Sequence, residues 1–172
     1  MLQGTRLRLC PFARSHGVRT RTWMNDLPLM SALDRAKPVS EMEHERWVED
    51  VLHREDCFFW AIEADDPPQH IGNVWLWAID SRHRKAEMRI VIGEEGFVEK
   101  GLGTEAISLL CTYGFTRLNL HKLYAFVLAN NPRGQRAFEK AGFQVEGLLR
   151  HDRWAGTYYT DVSVLGKLNE YE

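Results

Sequence analysis

The chain reads as a mixed α/β protein: one sheet, mostly antiparallel at its start, with a parallel strand pair later and helices on its faces. Consecutive strand-like segments between residues 57 and 93 are separated only by turns, and neighbours joined that way pair antiparallel. After Gly93 the hydrophobic period changes from that of a strand to that of a helix. A strand–helix–strand run follows, which calls for a crossover connection and a parallel pair. The 172 residues, 44% of them hydrophobic, suit one domain, 1–172, with a real core.

Leu7-Arg8-Leu9-Cys10-Pro11 alternates as a first strand, with Arg6 and Arg8 toward solvent. Phe12 to Met30 is mixed polar and aromatic and predicts short helices. Ser40-Glu41-Met42-Glu43 is a capping box, in which the serine oxygen takes a free helix N–H and the glutamate reaches back. Behind it, Trp47, Val48, Val51 and Leu52 share one helical face. Cys57 to Ile62 predicts a strand, and Asp65-Asp66-Pro67-Pro68 a turn, because proline cannot donate to a ladder.

Ile71 to Ile79 is the next strand, with Val74, Leu76 and Ala78 on one side and Trp75 and Trp77 on the other. A charged loop, 81–85, leads to a strand from Ala86 to Gly93. Ala106, Leu109, Leu110 and Tyr113 mark a helix with one buried stripe. Lys122 to Leu128 returns to strand. Asn131 before Pro132 caps a helix that stops at Gly142. Segments 143–147 and 161–165 close the sheet.

A formal charge of −2 with dispersed lysine and arginine leaves no footprint for nucleic acid. No run is long enough for a membrane span, and the first residues lack the apolar stretch of a signal peptide. Cys10, Cys57 and Cys111 lie far apart, which offers neither a zinc knuckle nor a redox pair and fits free thiols in a reducing, cytoplasmic setting. The histidines are dispersed too, and no metal site is expected.

The sharpest local feature is the turn Val98-Glu99-Lys100-Gly101-Leu102-Gly103-Thr104 between a strand and a helix. Its glycines let the backbone approach a ligand, and the helix start offers free N–H groups and a positive dipole end. That is an anion cradle suited to a pyrophosphate. Thr104 adds a hydroxyl and Lys100 a charge. A plain helix entry reads equally well from the turn alone. A Walker loop is excluded, because no G-K-[ST] occurs, and the order of elements does not suit a dinucleotide-binding fold.

From Ala86 to Leu168 the chain resembles the GNAT superfamily of N-acetyltransferases. Gly101 and Gly103 fill the small positions of its Q/R-x-x-G-x-G/A motif, and Thr104-Glu105-Ala106, the 118–124 run Leu-Asn-Leu-His-Lys-Leu-Tyr, Asn131 and Glu139-Lys140-Ala141-Gly142-Phe143 continue the match. Within the superfamily it is similar to the branch of ribosomal-protein alanine and spermidine N-acetyltransferases. The resemblance implies the GNAT fold, a mostly antiparallel sheet whose central parallel pair splays apart. It also implies acetyl-CoA as co-substrate, an amine as acceptor, and a homodimer.

The roles it implies are these. Ile90, Val91 and Ile92 would pair with the pantetheine arm, and the amides of 98–104 would hold the pyrophosphate. Asn131 would contact the pantetheine, a role compatible with capping its helix. Arg136 would reach the phosphates or stand exposed, and Phe138 would flank the cofactor. Glu87 would take the amine's proton or serve as a structural carboxylate. Trp23, Asn25, Asp26, Trp75, Trp77 and Tyr158 fall on the acceptor side.

Two residues depart from the family pattern. Val98 replaces the opening glutamine or arginine, and Phe138 stands where many relatives carry a tyrosine acid. The proton donor is then a water, Tyr158 or Tyr159, or nothing beyond a positive helix end. The alternative function is an acyl-CoA-binding or sensing protein without transfer. A protein N-terminus, a polyamine, an aminoglycoside and an amino sugar all remain open as acceptors.

Overall fold

The computed structural model describes residues 1–170. Strands β1 (Leu2–Gln3), β2 (Leu7–Pro11), β3 (Phe58–Asp65), β4 (Pro68–Asp80), β5 (Lys85–Ile92), β6 (Lys122–Leu128), β7 (Gln144–Trp154) and β8 (Tyr159–Leu168) form one sheet. Their order across it is β1-β2-β3-β4-β5-β6-β8-β7. All neighbours are antiparallel except β5 and β6. This is the expected mixed α/β GNAT fold.

Helices α1 (Arg14–Met24), α2 (Leu27–Ala32) and α3 (Glu41–His53) precede the long strands; α4 (Leu102–Thr116) and α5 (Pro132–Lys140) flank β6 in sequence. The Ser40 capping box forms as expected: Glu43 N–H donates to Ser40 Oγ at 3.2 Å and Ser40 N–H to Glu43 Oε2 at 2.9 Å. Behind it Val48 and Val51 are buried, whereas Leu52 stays exposed. They pack with Phe12, Cys57, Phe59 and Ala61 on one side of the sheet.

The main core lies around α4. Ala106, Ile107, Leu110 and Cys111 press on Leu76, Met88, Leu123 and Leu165, all nearly inaccessible to solvent. This stripe is broader than the sequence period indicated, because α4 is covered over more than one face. Removing such a buried leucine costs about 2–5 kcal/mol.

Two features of β4 and β5 position the site. A bulge between Trp77 and Asp80 puts Ala78 at φ 51° and turns it out to solvent. Ala78 therefore does not continue the buried row of Val74 and Leu76, since an extra residue breaks the alternation. The second feature is short parallel pairing. β5 and β6 register only at Lys85–Lys122, Ala86–Leu123 and Glu87–Tyr124. Beyond Glu87 the strands part, as expected of a splayed pair.

Candidate functional site

The turn before α4 has the geometry of an anion cradle. Gly101 is the N-cap at φ 78°, a conformation that favours glycine. The first amides of α4 then point away from the helix without intrahelical partners. A Cβ placed on Gly103 would meet Ile92 Cγ1 at 3.7 Å and Ile90 Cδ1 at 3.9 Å, which are ordinary contacts. Packing within the chain thus does not require glycine there, and the residue borders an open cavity.

That cavity, of about 330 Å³, is lined by Ile90, Val91, Ile92, Val98, Gly101, Gly103, Thr104 and Asn131. Arg133, Arg136 and Lys140 of α5 line it too and make it basic. Lys100 and Leu102 contribute differently from the expectation. The Lys100 ammonium lies 5.5 Å from the Phe97 ring, and the Leu102 side chain is buried in the core. Their backbone shapes the turn. The Lys100 carbonyl accepts from Arg6 Nη1 at 2.7 Å, and Arg6 Nε is paired with Glu105 at 3.0 Å.

A second cavity, of about 530 Å³, opens on the face of the sheet that carries Trp75, Trp77, Glu87 and Arg89. The two cavities share Ala32, Leu33, Ile90, Val91, Asn131 and Gly134, so they meet where β5 leaves β6. Asn131 stands at the junction and caps α5, its Oδ1 accepting from Gly134 N–H at 3.0 Å. Phe138 is buried, borders the second cavity and packs edge-on against Phe143 at 5.0 Å.

Within the second cavity the aromatic walls are fixed by their neighbours. Trp75 stacks on Phe59 at 4.7 Å, and Trp77 lies beneath the guanidinium groups of Arg54 and Arg89 at 4.3 and 5.2 Å. Trp23 donates its indole N–H to Glu94 at 3.1 Å and lies against the backbone of Gly93, where no side chain would fit. Glu87 receives Arg89 Nε at 2.6 Å and Nη2 at 3.0 Å.

Three sequence-predicted acceptor residues lie elsewhere. Asn25 ties the end of α1 to the approach to α3: its Oδ1 accepts from Val39 N–H at 2.7 Å and its Nδ2 donates to the Val39 carbonyl at 2.9 Å. Asp26 caps α2 by accepting from Leu29 N–H at 3.0 Å. Both side chains are consumed by structure and line neither cavity. Tyr158 is exposed, 3.5 Å from Asn130 Nδ2, and also lines neither.

Sequence reasoning overlooked Arg35, Asp34 and Arg153, which border the second cavity, and Arg89, which pairs with Glu87. Alternation could have flagged Arg89, two residues beyond Glu87 on the same strand face. Arg153 Nε meets Asp34 Oδ2 at 2.9 Å, across a sequence separation that carries no local signal. Tyr124, level with Glu87 across the parallel pair, has its phenol pushed up by burial and then by the Glu87 charge. Burial pushes the thiols of Cys57 and Cys111 up to about 11 and about 12, so neither is an activated thiolate. Among the described residues no cluster of three metal-ligating side chains occurs, and no helix is long and apolar enough to cross a membrane.

Residues 6–144 match the family model described as an acetyltransferase (GNAT) domain. The chain is 40% identical over 108 residues to the spermidine N(1)-acetyltransferase of Escherichia coli K12, covering 63% of this chain and 56% of that protein. It is 29% identical over 157 residues to the mouse alpha/beta-tubulin-N-acetyltransferase 9, covering 84% and 64%. The alignment thus spans little more than half the length of the bacterial relative. A crystal structure of spermidine N-acetyltransferase from Vibrio cholerae, in complex with CoA and spermine, superposes with a TM-score of 0.88 at 28% identity. That superposition covers 96% of this chain and 97% of the other.

Proposed function

The chain belongs to the GNAT acetyltransferase family, and from that premise we propose that it is an N-acetyltransferase that moves acetyl from acetyl-CoA directly to a primary amine. The observation that carries this reading is the meeting of two cavities at the β5/β6 splay, one basic and glycine-lined, the other aromatic. Each reactant would enter from its own side and reach the other only at that gap.

The first cavity suits the cofactor. The amides of 98–104, with Arg133, Arg136 and Lys140 nearby, would hold its phosphates. The strand from Ile90 to Ile92 would pair with the pantetheine, and Asn131 would contact it while still capping α5. Acetyl-CoA supplies an activated thioester.

The chain's own residues then have two tasks. An alkyl ammonium, with a pKa of about 10, must lose a proton before it attacks. Glu87, on the strand beside the splay and held by Arg89, would receive it directly or through water. The amine nitrogen forms the new C–N bond and the C–S bond breaks with its electrons on sulfur; of the two protons that leave the ammonium nitrogen, one goes to solvent through Glu87 and the other balances the one that sulfur gains. Phe138 has no proton to give, so the sulfur is protonated by water in this reading. The inert thiols of Cys57 and Cys111 support direct transfer over an acetyl-enzyme.

Phe138 also favours a second reading, binding of acyl-CoA without transfer. Thiol release from acetyl-CoA with a panel of amines separates the two. Acceptor-dependent release supports the enzyme; tight CoA binding with no release for any amine sinks it. The unpaired Cys10, Cys57 and Cys111 support a reducing, cytoplasmic location. Self-association is part of the proposal as well: β7 is an edge strand with Val145, Leu148 and Trp154 exposed, and such edges call for cover. One V. cholerae relative is described as dodecameric. Sedimentation of the purified chain tests this, and a monomer at all concentrations would refute it.

A further inference from the structure

The charged side chains of the acceptor cavity are Asp34, Arg35, Glu87, Arg89 and Arg153. Both carboxylates are already paired, Glu87 with Arg89 and Asp34 with Arg153. Arg35 is left over. Its Nε is buried and makes no hydrogen bond, and among the described residues no carboxylate pairs with it. Burial lowers its pKa, yet a guanidinium stays charged at any ordinary pH. Arg153 is paired with Asp152 as well, so the charges around the cavity balance overall, and what sets Arg35 apart among the described residues is the lack of any carboxylate beside it.

With no acid beside it, a half-buried guanidinium of this kind is a poor neighbour for a polycation and a good one for an anion. Its planar fork matches a carboxylate by parallel hydrogen bonds. The carboxylate would meet the Nη groups, since the Nε itself is sealed from the cavity.

We infer that the acceptor is an amino acid, a compound with both an amine and a carboxylate on an aromatic or large apolar body. Arg35 selects it by binding the carboxylate. The aromatic walls at Trp75, Trp77 and Phe126 hold the body, and the amine faces Glu87 at the splay. The product is the N-acetyl amino acid, with CoA released as the free thiol. This inference rests on the acetyltransferase reading above and narrows its acceptor away from polyamines.

The test compares three probes with acetyl-CoA: L-phenylalanine, phenethylamine, which lacks the carboxylate, and spermidine. The expected kcat/KM for phenylalanine is at least tenfold above both others. Arg35→Gln is expected to raise the KM for phenylalanine at least tenfold and to leave phenethylamine turnover unchanged, which also shows that the variant folds. A preference for spermidine, indifference to the carboxylate, or equal losses on phenylalanine and phenethylamine would overturn the inference and leave the acetyltransferase reading standing. If no amine is acetylated, that reading fails, and calorimetry with N-acetylphenylalanine and N-acetylspermidine decides the role of Arg35 separately. Binding of N-acetylphenylalanine that is lost in Arg35→Gln supports it; equal binding by wild type and variant refutes it.

Discussion

Glu87 and Arg89 project from the same face of one strand, and the carboxylate takes both Nε and Nη2 of the guanidinium. The pair sits level with the last rung of parallel pairing, where Glu87 faces Tyr124 across the strands. Arg89 fixes the carboxylate in one orientation at the mouth of the splay, so its removal should matter to the chemistry more than to the fold.

Glu87→Gln is expected to lower kcat about 10²–10³-fold, the range general-base residues supply. CoA affinity, measured by calorimetry, should stay within about twofold, within the scatter expected of a site not contacting the ligand. A kcat unchanged by the substitution would remove Glu87 from catalysis.

Gly103→Ala should separate binding from stability. The new methyl meets only ordinary contacts inside the chain, and alanine is preferred to glycine in a helix by about 1 kcal/mol. The melting temperature should hold or rise while CoA affinity falls. Gly101→Ala, at φ 78°, should instead lower stability by about 1 kcal/mol. An undiminished CoA affinity in the Gly103 variant would contradict the cradle.

Glu105 pins the first loop to α4. It accepts from Thr5 N–H at 2.7 Å, Arg6 N–H at 2.9 Å and Arg6 Nε at 3.0 Å. Burial pushes its pKa up, but the Arg6 amide and guanidinium and the Thr5 amide outweigh burial and hold it below the ordinary 4.5. A depressed carboxylate contributes stability that is complete above its unfolded value and fades as pH falls through the folded one. Denaturant midpoints should therefore drop below pH ~4.5 in the wild type and be flatter across that window in Glu105→Gln. At neutral pH that variant should lose about 2–3 kcal/mol.

Trp77→Ala should raise the acceptor KM about tenfold through loss of its aromatic wall. CoA binding should not change, because Trp77 borders only the second cavity. A shift in CoA affinity of similar size would mean that the cavities are not separate in function.

The order of strands and helices was legible because each depends on a local period, and the glycine turn because it needs special backbone geometry. Ser40 and Asn131 cap their helices as their residue types require. What the sequence concealed is long-range. Nothing local ties Arg153 to Asp34, and nothing marks Arg35 as the guanidinium left without an acid. Asn25 and Asp26 line neither cavity for a different reason. Asp26 is drawn to the nearby Leu29 amide as a helix cap, whereas Asn25 is taken by the backbone of Val39, a long-range partner with no local signal. The bulge at Ala78 also escaped the alternating pattern, since one inserted residue leaves composition untouched.

The short parallel pairing has a mechanical corollary. Strands β1 to β5 and strands β6, β8 and β7 are two plates stitched together at only the start of β5 and β6. The remaining edges face each other like an open zip, since among the described residues β5 makes no rung to β6 beyond Glu87. Whatever seats itself there acts as the missing slider. Amide exchange along Ile90–Ile92 and Ala125–Leu128 should slow on ligand binding before any distant strand responds, and the molecule should stiffen from its centre outward.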